Sequence, residues 1–202
     1  VCVDVRTGQP LWRFQLSHGG VNASVVVQDN ILVAIHGKEN LDTSTIGRMI
    51  SLRLPRAIPD EADLPLVLGA ADENWRNNLE SFTSSPLIHE GRIYQTVRTG
   101  ELVSVDAASG REIWRLKLSH DQLHASPLWA DGKLYVPMLD GKLFVIRPDA
   151  AAPVILSERQ LDGGCIGAPA VHAGRVYVHS KNRLYCFGAV RPTKTAATAA
   201  PP

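Results

Sequence analysis

The chain repeats itself. Ser85-Pro86-Leu87-Ile88 returns as Ser126-Pro127-Leu128-Trp129 and again as Ala168-Pro169-Ala170-Val171, with the prolines 41 and then 42 residues apart. After each proline comes a turn and a short apolar run: Glu90-Gly91-Arg92-Ile93-Tyr94, Asp131-Gly132-Lys133-Leu134-Tyr135 and Ala173-Gly174-Arg175-Val176-Tyr177. A second turn and run follow at Gly100–Val105, Gly141–Ile146 and Asn182–Phe187. An earlier copy starts at Ala23-Ser24-Val25 and runs through Asp29-Asn30-Ile31-Leu32 to Ile50-Ser51-Leu52. Short β-branched and aromatic runs broken by Gly, Asn or Asp are the signature of antiparallel hairpins.

A further strand is plain at two places. Asp4-Val5-Arg6-Thr7-Gly8-Gln9-Pro10-Leu11-Trp12 lines up with Asp106-Ala107-Ala108-Ser109-Gly110-Arg111-Glu112-Ile113-Trp114. Trp12, Phe14 and Leu16 alternate with Arg13 and Gln15, and Trp114, Leu116 and Leu118 with Arg115 and Lys117, the pattern of a strand with one buried face. Four antiparallel strands per period of about 42 residues predict an all-β chain made of β-propeller blades. One such sheet cannot bury both of its faces alone, and stacking blades around an axis covers them.

Composition narrows the function classes. The chain has 202 residues, with 21 Lys plus Arg against 20 Asp plus Glu, so it carries no basic field suited to nucleic acid or an anionic membrane. No apolar run reaches the ~20 residues of a membrane-spanning helix. Three cysteines exclude a disulfide-built miniprotein. Cys2 and Cys186 fall at the same position of two different third strands, where small buried side chains fit, too far apart in a ring to bridge.

These residues resemble the pyrroloquinoline-quinone-type (PQQ-like) propeller repeat. In that family an Asp-x-x-(Thr/Ser)-Gly-x-x-x-Trp stretch joins the third and fourth strands of a blade. The resemblance implies that Asp4, Thr7, Gly8 and Trp12, and likewise Asp106, Ser109, Gly110 and Trp114, form blade-docking corners, with each indole packed between blades. Arg53 and Arg147 stand at the Asp position of the other copies, with no Trp at the expected spacing.

The expected organisation is a half blade over 1–16 and blades over about 22–68, 85–118, 126–161 and 168–188. An Ala/Thr/Pro tail over 189–202 is expected to be disordered. The chain opens in mid-strand at Val1-Cys2-Val3, and its first unit supplies a third and a fourth strand where the last lacks only a fourth. About four blades of a seven- or eight-bladed ring, with N-terminal blades missing upstream, is the expectation. A full ring of that size needs about 290–340 residues. The first whole blade is interrupted at 37–47 and again at 55–81, where Ala71–Leu79 reads as one or two helical turns.

Ligand chemistry in such a ring is expected at the axis. Asn22, Thr83 and His124 take equivalent places before the first strands, with Ile166 fourth, and Arg98, Asp140 and Lys181 sit in the turns between second and third strands. Together they form a mixed polar mouth for a peptide or small anion. His120 and His124, flanking Asp121, have a helical ligand spacing but lie in a loop, so no metal site is expected. His36, His89, His172 and His179 have no evident partners. Cys165 lies in a Gly-rich loop near the mouth, which is not a phosphate loop because no Lys-Ser/Thr and no helix follow.

Three functions are open. The resemblance implies first a non-enzymatic scaffold of the cell envelope, like the propeller lipoprotein of the outer-membrane barrel-assembly machinery, presenting loops and blade edges to a protein or peptide partner. The second is a fragment of a PQQ-dependent alcohol or sugar dehydrogenase. Such enzymes need a carboxylate-lined calcium site and often adjacent cysteines, which these residues do not supply, so neither quinone nor calcium is expected as a cofactor. The third is a propeller sensor segment of a larger multidomain protein. The family also implies an extracytoplasmic, periplasmic or outer-membrane-associated location.

Overall fold

The computed structural model describes residues 1–57, 64–120, 124–149 and 151–188. The expected tail 189–202 and Asp121 lie outside the described residues, as does part of the second interruption. Five sheets follow one another along the chain. The first holds β1 (Cys2–Val3), β2 (Pro10–Phe14) and β6 (Leu66–Leu68). The first whole sheet holds β3 (Val26–Gln28), β4 (Ile31–Glu39), β5 (Ile46–Arg53) and β7 (Glu73–Asn77). The next two are β8 (Leu87–His89) to β11 (Glu112–Lys117), with β9 (Arg92–Val97) and β10 (Glu101–Asp106) between, and β12 (Leu128–Ala130), β13 (Lys133–Pro137), β14 (Lys142–Pro148) and β15 (Pro153–Gln160). The last has β16 (Ala170–His172), β17 (Arg175–His179) and β18 (Leu184–Phe187). The four-stranded sheets are antiparallel throughout, so the chain is an all-β partial propeller. The first strands β3, β8 and β12 lie against one another, which puts the axis on their side.

Turn chemistry closes the first hairpin of each blade. Asp29, Glu90, Asp131 and Ala173 all have φ between 46° and 53°, and glycine follows three of them with φ of 66° to 72°. Successive positive φ angles match the right-handed twist of the strands, which is why the run after each proline reads x-Gly.

Strand alternation sends side chains into two seams at once. Val103 and Val105 pack with Val33, Ile35, Met49, Trp75 and Ile93 in one seam; Leu102 and Tyr94 pack with Trp114, Leu134, Val136 and Phe144 in the next. Leu143, Leu161, Cys165, Val176 and Val178 fill the third seam. Trp12, Phe14 and Leu16 cover Leu32, Ala34, Ile50 and Leu52. Every internal sheet therefore buries both faces against its neighbours.

The first whole sheet departs from expectation. Its fourth strand is β7, beyond the expected end at 68, and Ala71–Leu79 does not form a helix of one or two turns. A single 3-10 turn at Ala70–Asp72 precedes β7, whose central Trp75 pairs with Ser51 as Trp114 pairs with Ser104. Docking of that indole against the next blade outweighs the local helical tendency of the Ala-rich run. The segment before it also adds β6 to the outer edge of β2, in parallel, with Trp12↔Leu66, Arg13↔Val67 and Phe14↔Leu68.

Candidate functional site

The corner motif builds the frame. Asp4 Oδ1 accepts from the backbone N–H of Arg6 and Thr7 (2.8 and 2.9 Å), and Gly8 closes the turn at φ 73°. Asp106 Oδ1 accepts from the Ser109 N–H (2.8 Å) and hydroxyl (2.6 Å), with Gly110 at φ 70°. These donors hold both carboxyls below the usual aspartate range, through the Thr7 and Arg6 amides for Asp4 and the Ser109 hydroxyl and amide for Asp106. The glycine is required twice over at Gly110. A Cβ there would fall 2.4 Å from the Trp75 ring of the preceding blade. Trp75 Nε1 donates to the Ala107 carbonyl in the same corner (2.9 Å), and Asn77 Nδ2 donates to the Gly110 carbonyl (3.0 Å).

Trp75 was not expected from the spacing rule, because the interruption separates it from its third strand. A signal existed: Glu73-Asn74-Trp75-Arg76 repeats Glu112-Ile113-Trp114-Arg115, and in both the arginine forks onto the glutamate. Trp114 is 6% exposed in the following seam, and its Nε1 has no acceptor among the described residues. The third strand is small opposite each indole, with Cys2, Ser51 and Ser104, and larger, Val145, where Ser157 replaces it. Cys186, expected to be buried, is exposed, because β18 has no fourth strand beside it among the described residues.

At the mouth, a ladder ties the blades together before their first strands. The Ser24 N–H donates to Ser85 Oγ and the Ser85 N–H to Ser126 Oγ, each 2.8 Å; Ala168 has no hydroxyl to extend it. Thr83 and His124 meet: the Thr83 hydroxyl lies 3.1 Å from His124 Nδ1 and donates to the His124 carbonyl (3.0 Å). Thr96 donates across the same seam to the Ala125 carbonyl (2.8 Å), and Gln95 Nε2 binds the Ser84 carbonyl and hydroxyl (both 3.1 Å). Arg98 pairs with Glu80 (3.3 Å), and Asp140 accepts from the Lys142 amide (3.0 Å) in its own turn. The side chains of Asn22 and Lys181 make no hydrogen bond or ion pair among the described residues, and Ile166 is exposed. The structure thus joins Thr83 to His124 and leaves the other five mouth residues separate.

The histidines expected to stand alone do not all do so. His36 is buried with Nδ1 accepting from the Lys38 amide (3.2 Å), and burial, with Arg48 opposite, pushes its pKa down. His89 stacks on Trp129 with ring centroids 4.0 Å apart. Burial, with Asp140 nearby, raises the Cys165 thiol pKa, which makes it a poor nucleophile. Among the described residues no three His, Cys, Asp or Glu side chains are grouped to hold a metal. Two clefts open in the seams: one of about 670 Å³ where Asp42 bridges Arg48 (2.7 Å) and Arg76, and one of about 540 Å³ beside Gln28, Arg92 and Asp106. No helix among the described residues is long and apolar enough to cross a membrane.

Residues 67–152 match a family model described as outer membrane protein assembly factor BamB. Quinohemoprotein alcohol dehydrogenase ADH IIB of Pseudomonas putida is 32% identical over 124 residues, covering 54% of this chain and 18% of that enzyme. BamB from Moraxella catarrhalis superposes with a TM-score of 0.60 at 18% identity, over 83% of this chain and 46% of BamB. The computationally designed Ika8 protein superposes with a TM-score of 0.66 at 13% identity, over 93% of this chain and 51% of its own. The designed Ika4 protein gives 0.64 at 13% identity, over 90% and 99%. At such identities the structural likenesses speak to the fold, and the chain spans less than half the length of the two natural proteins. With Trp75 docked on the glycine corner of the following blade and its middle matched by that family model, the chain is similar to the PQQ-like β-propeller repeat family.

Proposed function

We propose that this chain is part of a non-enzymatic scaffold of the cell envelope that displays its axial loops and blade edges to a protein partner. The observation that carries the reading is how the mouth is held. Thr83 and His124 bind across a seam, Arg98 is tied to Glu80, and the serine ladder fixes the strands behind them. A surface whose side chains are already ordered loses little entropy when a partner lands on it. The match of residues 67–152 to the BamB model supports the same reading and the envelope location. A photo-crosslinking residue at Asn22 or Lys181, whose side chains make no hydrogen bond or ion pair among the described residues, is expected to trap a discrete envelope protein in cells. Absence of any crosslinked protein from both sites overturns the scaffold reading.

The identity to the Pseudomonas dehydrogenase favours a second reading, a quinone-dependent oxidoreductase. Titration with pyrroloquinoline quinone and calcium, followed by dye reduction with short alcohols, separates the two. The scaffold reading expects no saturable reduction, and saturable turnover replaces it.

A further inference from the structure

The outer edges of the blades are not alike. β2 is covered, because β6 adds to it as a parallel Leu-Val-Leu strand. β7 and β11 are guarded by charge: Arg76 forks onto Glu73 (2.6 and 2.7 Å), and Arg115 onto Glu112 and Glu101 (2.6 and 2.7 Å). Charged side chains on an edge strand are what ordinarily keeps another strand from pairing there. β15 has neither defence over its first half. Among the described residues it pairs only with β14, it runs eight residues against six for β11, and it begins Pro-Val-Ile-Leu-Ser. Val154, Ile155 and Leu156 are 39%, 44% and 42% exposed. In the preceding blade the positions matching Val154 and Ile155 are Arg111, just before β11, and Glu112, its first residue, so the apolar pair replaces charge.

The charges that follow are also uneven. Glu158 is neutralised by Lys142 (2.9 Å). Arg159 is exposed and has no carboxylate partner among the described residues; its guanidinium reaches only the Glu158 carbonyl (3.4 Å). A parallel strand laid on β15 in the direction β6 takes on β2, but three residues nearer the start of the strand, would set its apolar residues beside Val154–Leu156. Its third residue beyond them would then face Arg159.

We propose that the outer edge of β15 is a docking site for an extended segment of a protein partner. Its chemistry is two or three apolar β-forming residues followed three positions later by a carboxylate. Main-chain pairing supplies the affinity, and the apolar run with Arg159 supplies the choice of segment. This rests on the scaffold reading and names the edge and the chemistry it selects.

The probe is a fluorescein-labelled peptide containing Leu-Val-Leu-Thr-Thr-Glu, titrated into the 202-residue chain with anisotropy as readout. Saturable binding is expected, with slowed amide exchange confined to Val154–Ser157. Ile155→Lys, at an exposed position, is expected to weaken binding at least about tenfold while circular dichroism stays unchanged, and Leu156→Thr provides a second variant if it does not. Arg159→Glu is expected to reverse the preference between this peptide and its Lys counterpart by roughly tenfold. Three results overturn the proposal: no saturable binding, binding indifferent to Ile155→Lys, or a dimer of the chain that Ile155→Lys dissolves. Exchange protection at the mouth loops instead of β15 removes the edge site and leaves the scaffold standing. Failure of both this peptide and the Asn22 and Lys181 crosslinks removes both.

Discussion

Trp75 and Trp114 occupy one register position, opposite Ser51 and Ser104, yet only Trp75 has a hydrogen-bond acceptor for its indole. The difference lies in the following corner. Asp106 and Gly110 fold a turn that presents the Ala107 carbonyl, whereas the corner after Trp114 begins Arg147-Pro148 and lacks that motif. The serines follow suit: Ser51 Oγ accepts from Asn74 Nδ2 (3.2 Å), and Ser104 Oγ is buried without a partner among the described residues. Deleting either indole opens a large cavity, so each Trp→Ala change is expected to cost about 3–5 kcal/mol. Phenylalanine keeps most of the burial and removes only the N–H. Trp75→Phe is therefore expected to destabilise by about 1 kcal/mol more than Trp114→Phe, the net worth of one hydrogen bond. Urea denaturation midpoints of the two variants check this; equal losses would mean that the Ala107 contact contributes nothing.

Elements were readable where the period is short and unreadable where it is stretched. The x-Gly turns and alternating strands of β8 to β14 follow from spacing alone, and the Thr83–His124 contact joins residues one repeat apart. β7 did not follow, because its pairing with β5 spans an interruption, and neither did the parallel β6, since no local pattern says which edge a Leu-Val-Leu run will join. The mouth was readable as a set of positions but not as contacts, since Arg98 is held by Glu80, a residue outside the aligned set. The extended β4–β5 hairpin shows a related limit. His36 looked incidental, yet it is buried opposite Arg48, which Asp42 holds from the connecting loop. Burial, reinforced by Arg48, keeps its folded pKa below the ordinary value near 6.5. Below about pH 6.5 the unfolded chain takes up a proton that the folded chain refuses, so stability falls as pH drops from there toward the folded pKa and is unaffected above. Asp42, held down to about 2 by Arg48 and Arg76, acts in a separate window below pH 4. The urea midpoint is expected to decline between pH 7 and 5, and His36→Gln to flatten that decline. An unchanged slope in the variant would assign it to other groups.

Across the whole molecule, stability is passed from sheet to sheet, because each blade touches only its neighbours. The second whole sheet sits deepest in this chain of contacts. Five of six residues in β9 and four of six in β10 are buried, and their side chains fill the seams on both faces. The last sheet is the opposite case. All three residues of β16 are exposed, Leu184 in β18 is 69% exposed, and among the described residues one seam alone supports the sheet. The serine ladder also stops short of it, at Ala168. With fewer apolar contacts to break, opening of the last sheet requires less free energy than opening of the middle. Native-state hydrogen exchange is therefore expected to grade along the chain, with β9 and β10 amides exchanging near the global unfolding limit and β16 to β18 through a lower-energy local opening. Because the third seam includes Leu143 and Leu161, that opening is expected to carry β14 and the Gly-rich loop part of the way with it. Equal exchange free energies in β17 and β9 would show that the blades unfold as one unit and that neighbour-to-neighbour coupling does not describe this chain.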